Sequence, residues 1–174
     1  MVRRALVFAS ALAALFAPAA ALAQVSDVVV KAAFLPRFAR YVTWPASAHA
    51  QASGPIVLCV IGDDPFGNAL NQAVVSQQVD GRAFVVRRLA SANGASDCSI
   101  AFVDGSRTGE TLAALNHRPI LTVTDSHSGT QRGVIHFAIV DGRVRFFIDN
   151  AQAQARGLTI SSRLLALAIG VNQK

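Results

Sequence analysis

Gly54-Pro-Ile-Val-Leu-Cys-Val-Ile-Gly-Asp-Asp-Pro-Phe66 is the stretch on which the fold turns. Ile56 to Ile61 is an unbroken apolar run of strand length, set between a Gly-Pro pair and a Gly-Asp-Asp-Pro turn. A strand with one wet face alternates apolar and polar residues, so an unbroken run is expected of a strand covered on both faces, as in a sheet flanked by helices. Asp64 then supplies a capping side chain and Pro65 suits a first helical position, which predicts a helix from Phe66 to about Val75. Strand followed at once by helix opens a β-α-β unit.

Downstream, the same alternation continues. Ala83 to Arg88 reads as a basic strand after the turn-like Asp80-Gly81, and Ser99 to Val103 as a second buried strand. Thr108 to Asn116 then reads as a helix and Pro119 to Thr124 as a strand, an order that favours parallel pairing. Asp141-Gly142, between two alternating segments, signals a two-residue type I′ hairpin. That turn pairs Val140 with Arg143, then Ile139 with Val144, Phe137 with Phe146 and Ile135 with Ile148, and the last three pairs place apolar residues together on one face. On the other face His136 meets Phe147 and Ala138 meets Arg145, a mixed surface. After Asn150 a short helix is expected to run to Arg156 and stop at Gly157; Ser161 or Ser162 then caps a last helix through Leu164, Leu165, Leu167 and Ala168. The fold class is therefore α/β: a single domain with a mixed β-sheet of about six strands flanked by helices, parallel in its N-terminal part and ending in an antiparallel hairpin.

Upstream, Lys31-Ala-Ala-Phe-Leu-Pro-Arg-Phe-Ala-Arg-Tyr-Val-Thr-Trp-Pro45 places Phe34, Phe38, Tyr41 and Val42 on one helical arc, with Arg40 and Thr43 opposite. Pro45 bars continuation, and the stripe is read as core. Before it, Arg3 and Arg4, an apolar run from Ala5 to Ala17 and the A-x-A site Ala21-Leu22-Ala23 read as a cleaved signal peptide, residues 1–23, leaving 24–174 as one domain of about 150 residues. The apolar run is short for a membrane span, which needs about 20 residues, and no cysteine follows the site to carry a lipid. The mature chain is therefore expected to be soluble outside the cytoplasm. The formal charge of +6 includes Arg3 and Arg4, which leave with the signal. The remaining excess is spread along the chain, which argues against nucleic acid and for an acidic partner surface or membrane face.

Cys59 and Cys98 are an even count in an oxidising compartment, which points to a disulfide, with two buried free thiols as the alternative. Neither cysteine has the short-spaced partner of a metal site, so no metal and no cofactor are expected. Asp125-Ser126-His127-Ser128 holds the residue types of a hydrolase, and Asp63 with Asp64 offers carboxylates. Triad members are brought together by tertiary structure and seldom lie in one run, however, and neither a G-x-S-x-G elbow nor an H-E-x-x-H pair is present. No catalytic residue is assigned, and the protein is not expected to be an enzyme. A small-ligand sensor or binding protein, acting with another membrane signalling protein, is the second reading. Its crevice would lie at the carboxyl ends of the strands, near Gly62 to Gly67 and Asp104 to Arg107.

Lys31-Ala-Ala-Phe-Leu with Phe38 and Trp44-Pro45, then Leu58-Cys59-Val-Ile-Gly-Asp-Asp-Pro-Phe-Gly67, then Gly157-Leu-Thr-Ile-Ser-Ser-Arg-Leu-Leu-Ala-Leu-Ala168 resemble, in order and spacing, the YfiR family, over nearly the whole mature chain. The resemblance implies a periplasmic repressor that engages the periplasmic domain of an inner-membrane diguanylate cyclase and holds it inactive. Release of that hold by an outer-membrane lipoprotein raises cyclic di-GMP and favours biofilm. Homodimerisation is left open. The best-known members carry a second cysteine pair in the C-terminal half, which this chain lacks, and Pro36 stands where many carry a polar residue, so a kink or an early helix break is expected there. Arginine is enriched at interfaces, which makes Arg37 and Arg40 on the first helix and Arg143 and Arg145 on the hairpin candidate partner-binding residues. Solvated faces explain them equally well.

Overall fold

The unbroken apolar strand at Ile56 sits in the interior of a wide sheet, with a parallel strand on each side, as its composition requires. The computed structural model describes residues 19–48 and 54–173; the expected signal, residues 1–23, lies for the most part outside them. Helix α1 spans Ala19–Phe38, a 3-10 turn follows at Ala39–Tyr41, and the chain enters β1 (Val42–Thr43). Then come β2 (Ile56–Gly62), α2 (Asn68–Val74), β3 (Gln78–Val79), β4 (Arg82–Leu89), β5 (Ile100–Asp104), α3 (Thr108–Ala114) and β6 (Leu121–Asp125). The C-terminal part adds β7 (Ile135–Val140), β8 (Arg143–Asp149), α4 (Asn150–Ala155), β9 (Thr159–Ile160), α5 (Ser162–Leu165) and β10 (Gly170–Asn172). Eight strands form one sheet in the order β10-β8-β7-β6-β5-β2-β4-β3, and β1 pairs with β9 in a separate ribbon. Strands β4, β2, β5, β6 and β7 run parallel, and β8 returns antiparallel on β7.

Alternate residues of the central strands feed two cores. Ile56, Leu58 and Val60 of β2 join Ala32, Leu35 and Phe38 of α1 and Leu70 and Val74 of α2 in the larger one. Cys59 and Ile61 face the other way, with Ala101, Val103, Leu115 and the loop residues Ala92, Ala95 and Cys98. Both faces of β2 are thus dry, the condition that selects an unbroken apolar run. The hairpin register matches the pairing read from Asp141-Gly142, from Val140 opposite Arg143 to Ile135 opposite Ile148. Asp141 and Gly142 have φ of 50° and 67°, the left-handed values that a type I′ turn demands.

Several local expectations are corrected. The first α-helix ends at Phe38, two residues after the buried Pro36: the early break expected at that proline is present, and the helix does not run on toward Pro45. Proline cannot donate to the carbonyl one turn back, and the chain tightens to a 3-10 turn before Val42 and Thr43 pair with Ile160 and Thr159. Asp64 accepts from the N–H groups of Phe66 (2.8 Å) and Gly67 (3.2 Å), but it closes a turn rather than the helix. Gly67, at φ 49°, delays α2 to Asn68. The last helix is one turn, capped by Ser161, and Gly170 to Asn172 instead form β10 beside β8. Gly170 is needed there because a Cβ would stand 2.9 Å from the Phe147 ring. The six expected strands are all present; β3 and β10 extend the sheet at its two edges.

Parallel strands usually need a helix to cross between them, yet β6 and β7 are joined by residues 126–134 with only a 3-10 turn at Ser126–Ser128. Threonines on β6 replace the missing helix. Thr124 Oγ1 accepts from Gly133 N–H at 2.9 Å and Thr122 Oγ1 from Val134 N–H at 3.1 Å. Gly133 lies so close that a Cβ would meet the Thr122 carbonyl at 2.8 Å.

Two interactions place α1 on the sheet. Phe34 and Phe38 pack against the cross-strand pair Phe137 and Phe146, with ring centroids 5.4 to 6.2 Å apart across the interface. One helical turn before Phe34 and Leu35, Lys31 Nζ meets Asp125 Oδ2 at 2.6 Å, the two side chains 3% and 7% exposed. The other carboxylate oxygen of Asp125 accepts from His127 N–H at 3.2 Å, so one side chain holds both α1 and the turn after β6. Trp44 Nε1 donates to the Ser99 carbonyl at 3.2 Å, and Pro45 packs on Gly157, which accounts for the Trp-Pro end of this segment.

Cys59 on β2 and Cys98 ahead of β5 form a disulfide, with Cα atoms 5.9 Å apart and a sequence separation of 39. The free-thiol alternative is thereby set aside. Replacing both cysteines with serine should lower the oxidised protein's stability by up to about 4 kcal/mol, the loop-closure value for this span, and an unchanged melting temperature would contradict the role. Replacing Lys31 with Met leaves Asp125 buried and uncompensated, at an expected cost of about 3–5 kcal/mol. Adding Asp125→Asn removes the stranded charge and should recover much of the loss. Urea denaturation of the two variants checks this; a single-variant loss below about 1 kcal/mol, the range of an exposed pair, would deny the pair its anchoring role.

Candidate functional site

The four arginines singled out from the sequence do not form one patch. Arg37 is exposed on α1, and Arg40, also exposed, donates through Nη2 to Gln77 Oε1 at 3.1 Å. Arg143 and Arg145 are exposed on β8, on the face opposite Phe146. Phe146 packs on Phe38, so Arg145 points away from α1 and the two pairs lie on opposite sides of the sheet.

The acidic and hydroxyl runs are spent on structure. Asp125 is divided between Lys31 and the turn that it caps, and it meets the backbone of His127 rather than its ring. Asp64 binds Arg88 Nε at 2.6 Å besides closing its own turn, while Arg88 also reaches Asn71 Oδ1 at 3.1 Å and the Gly67 carbonyl at 2.7 Å. At the carboxyl ends of β2 and β5, Gly62 lies so close to β5 that a Cβ would fall 2.1 Å from the Asp104 carbonyl, and Gly105 packs on Asp63. The two strand ends are closely packed there, beside the place where the sequence suggested a crevice.

Open space lies instead on the mixed face of the hairpin. A groove of about 340 Å³ runs between the segment leading into β7 and the edge strand β10, lined by Arg132, His136, Phe147, Asp149 and Asn172, with Gly133 and Gly170 in its walls. The Arg132 guanidinium sits over the Phe147 ring, 4.9 Å from its centroid, a cation–π arrangement. Asp149 caps α4 by accepting from Gln152 N–H at 2.7 Å and accepts from Asn172 Nδ2 at 3.1 Å. His136 is buried, with Nδ1 2.9 Å from Thr124 Oγ1. Thr124 also accepts from Gly133 N–H; when it donates its own hydrogen to Nδ1, the neutral ring carries its hydrogen on Nε2. A second cavity of about 310 Å³ lies beside Cys98, among Ser47, Arg118 and Ile120.

Sequence reasoning placed His136 opposite Phe147 on the mixed face but passed over Arg132. The hairpin register was the signal for the first. Nothing in the sequence showed that the segment before β7 would fold back and lay an arginine on that ring. Arg156 was likewise read only as a helix end. It is buried, donates to the Leu115 carbonyl at 2.7 Å and to Gln152 Oε1 at 3.0 Å, and ties α4 to the end of α3.

Burial holds the His136 pKa below its ordinary value of 6.5; the Arg132 charge pushes the same way and Asp125 opposes. A histidine depressed in the folded state makes the unfolded chain the stronger proton acceptor, so stability is full above about 6.5 and declines as pH falls through that value. Melting temperature should therefore drop between about pH 7.5 and 5.5, and His136→Gln should flatten the slope. An equal slope in the variant would remove His136 from the account.

The YfiR/HmsC-like family model matches residues 29–169, from the outer part of α1 through the whole sheet up to β10. No curated protein matches the chain. Among the described residues no helix is long and apolar enough to cross a membrane. The match takes in the Lys31 anchor, the phenylalanine cluster, both cysteines and, of the groove, Arg132, His136, Phe147 and Asp149: the chain belongs to the YfiR/HmsC-like family.

Proposed function

We propose that this protein is exported by a signal at residues 1–23 and represses an inner-membrane diguanylate cyclase by binding its periplasmic domain, lowering cyclic di-GMP and biofilm formation. The observation that carries the reading is the family match over residues 29–169, which supports periplasmic regulation of cyclic di-GMP signalling in general. An outer-membrane lipoprotein that competes for the same surface is the releasing partner, and a homodimer is the form in which the chain would engage a dimeric cyclase. The arginines act as contact residues on one side or the other of the sheet: Arg37 and Arg40, or Arg143 and Arg145.

Repression of this kind needs no reaction. A protein that binds the cyclase's inactive state more tightly than its active state shifts the population by the ratio of the two affinities. A structure that ties Asp64, Asp125 and Asp149 into turns and ion pairs suits that task, because a fixed surface loses little freedom on binding. The groove beside His136 favours a second reading, in which a small ligand modulates the same protein.

Deleting the gene should raise cellular cyclic di-GMP, and the purified protein should bind the periplasmic domain of a cyclase encoded beside it. Reversing charge at Arg37 and Arg40, or separately at Arg143 and Arg145, should weaken binding about tenfold on the side that makes contact. Unchanged cyclic di-GMP in the deletion strain together with no binding to the cyclase domain would overturn the reading.

A further inference from the structure

We infer that the groove between residues 132–136 and the β8–β10 edge is a binding site for a small carboxylate, held by the Arg132 guanidinium and the Nε2–H of His136. Arg132 is exposed, has no acidic partner among the described residues, and sits over the Phe147 ring, 4.9 Å from its centroid. The ring holds the guanidinium by its charge, and the guanidinium N–H groups that no acid occupies can fork onto a carboxylate. His136 turns its second nitrogen to the groove because Thr124 occupies the first, and Thr124 is itself fixed by Gly133. The two donors therefore come from elements that are already held.

The charges around the groove select the anion. Arg132 is its one arginine, the histidine is neutral, and Asp149, whose N–H donates to the Val134 carbonyl at 2.8 Å, lines it with its oxygens engaged by Gln152 and Asn172. A monoanion balances a single guanidinium. A phosphate dianion would bring a second negative charge toward Asp149 with nothing to offset it. The Phe147 ring lines the groove between the Arg132 guanidinium over it and Gly170 at its edge, and no side chain stands at Gly170. A carboxylate with a small flat body is the shape this accepts, and Phe147 gives such a body a surface to pack against. The assignment does not depend on the proposed cyclase partner.

Side-chain NMR of the full chain tests it, following the His136 ring while sodium acetate, sodium benzoate or inorganic phosphate is added at constant ionic strength. The expected result is a saturable shift of the His136 signals with both carboxylates, tighter for benzoate. Arg132→Ala should weaken it about tenfold, and Arg132→Lys, which keeps the charge but loses the fork, should fall between. Arg132 is a surface residue, so these variants fold whatever the result. No saturation by about 50 mM carboxylate, equal affinity in Arg132→Ala, or tighter binding of phosphate would each overturn the assignment.

Discussion

Lys31 buried against Asp125 is the contact on which the placement of the first helix depends. Helix α1 comes first in the chain and packs on strands contributed by its last third. An apolar stripe alone would tolerate sliding by a turn, because phenylalanine meets phenylalanine under several registers. A buried charge pair does not tolerate sliding. Moving Lys31 off Asp125 would leave two ions dry and unpaired, a cost well above what any alternative packing returns. The division of labour is clear: Phe34, Phe38, Phe137 and Phe146 supply the apolar burial, and the ion pair selects the register. Asp125 also caps the turn after β6, so the short crossover to β7 and the seat of α1 are set by one side chain.

The two faces of the sheet are finished differently. The α1 side is continuous, running from Phe84 on β4 to Ile148 on β8 beneath α1, α2 and the C-terminal turns. The other side is covered piecewise. The disulfide loop and α3 close over β2 and β5, and residues 126–134 close over β6 through their bonds to Thr122 and Thr124. Beyond that cover, β7, β8 and β10 keep polar and aromatic groups on the same side: His136, Arg145, Phe147, Asp149 and Asn172. The groove lies where the cover ends. It is a consequence of the short β6–β7 connection, since a full helix at that crossover would have lain across this face.

Much of this was legible in residues 54–66 and 135–148, because both carry patterns whose physics is local. An unbroken apolar strand implies cover on both sides, and Asp141-Gly142 fixes a register that any shift would invert. The helix of residues 31–45 was harder. Its stripe was visible, but β-branched Val42 and Thr43 joined a strand because Thr159 and Ile160 came to meet them, a partner more than a hundred positions away. Lys31 gave no sign of its role, since a lysine at the edge of an apolar run reads as solvated until a carboxylate from a distant strand is found beside it. Arg132 escaped notice for the same reason. Charges whose partners are distant in sequence look free.

That distinction also separates the four arginines. Strand β10 pairs with β8 only over Phe147 to Asp149, so the outer edge of β8 near Arg143 and Arg145 carries no ladder among the described residues. Charged side chains on such an edge oppose strand addition by other molecules, which is reason enough for arginine at both positions without any partner. Arg40 is partly engaged by Gln77. Arg37 has neither explanation: it is exposed on a helix whose position is fixed by a buried ion pair and an aromatic cluster. A partner that reads a rigid surface gains most from a charge presented in that way, because little order has to be created on binding. The outer face of α1 is therefore the better place to look for the regulatory contact, and the hairpin edge the better place to look for protection against aggregation.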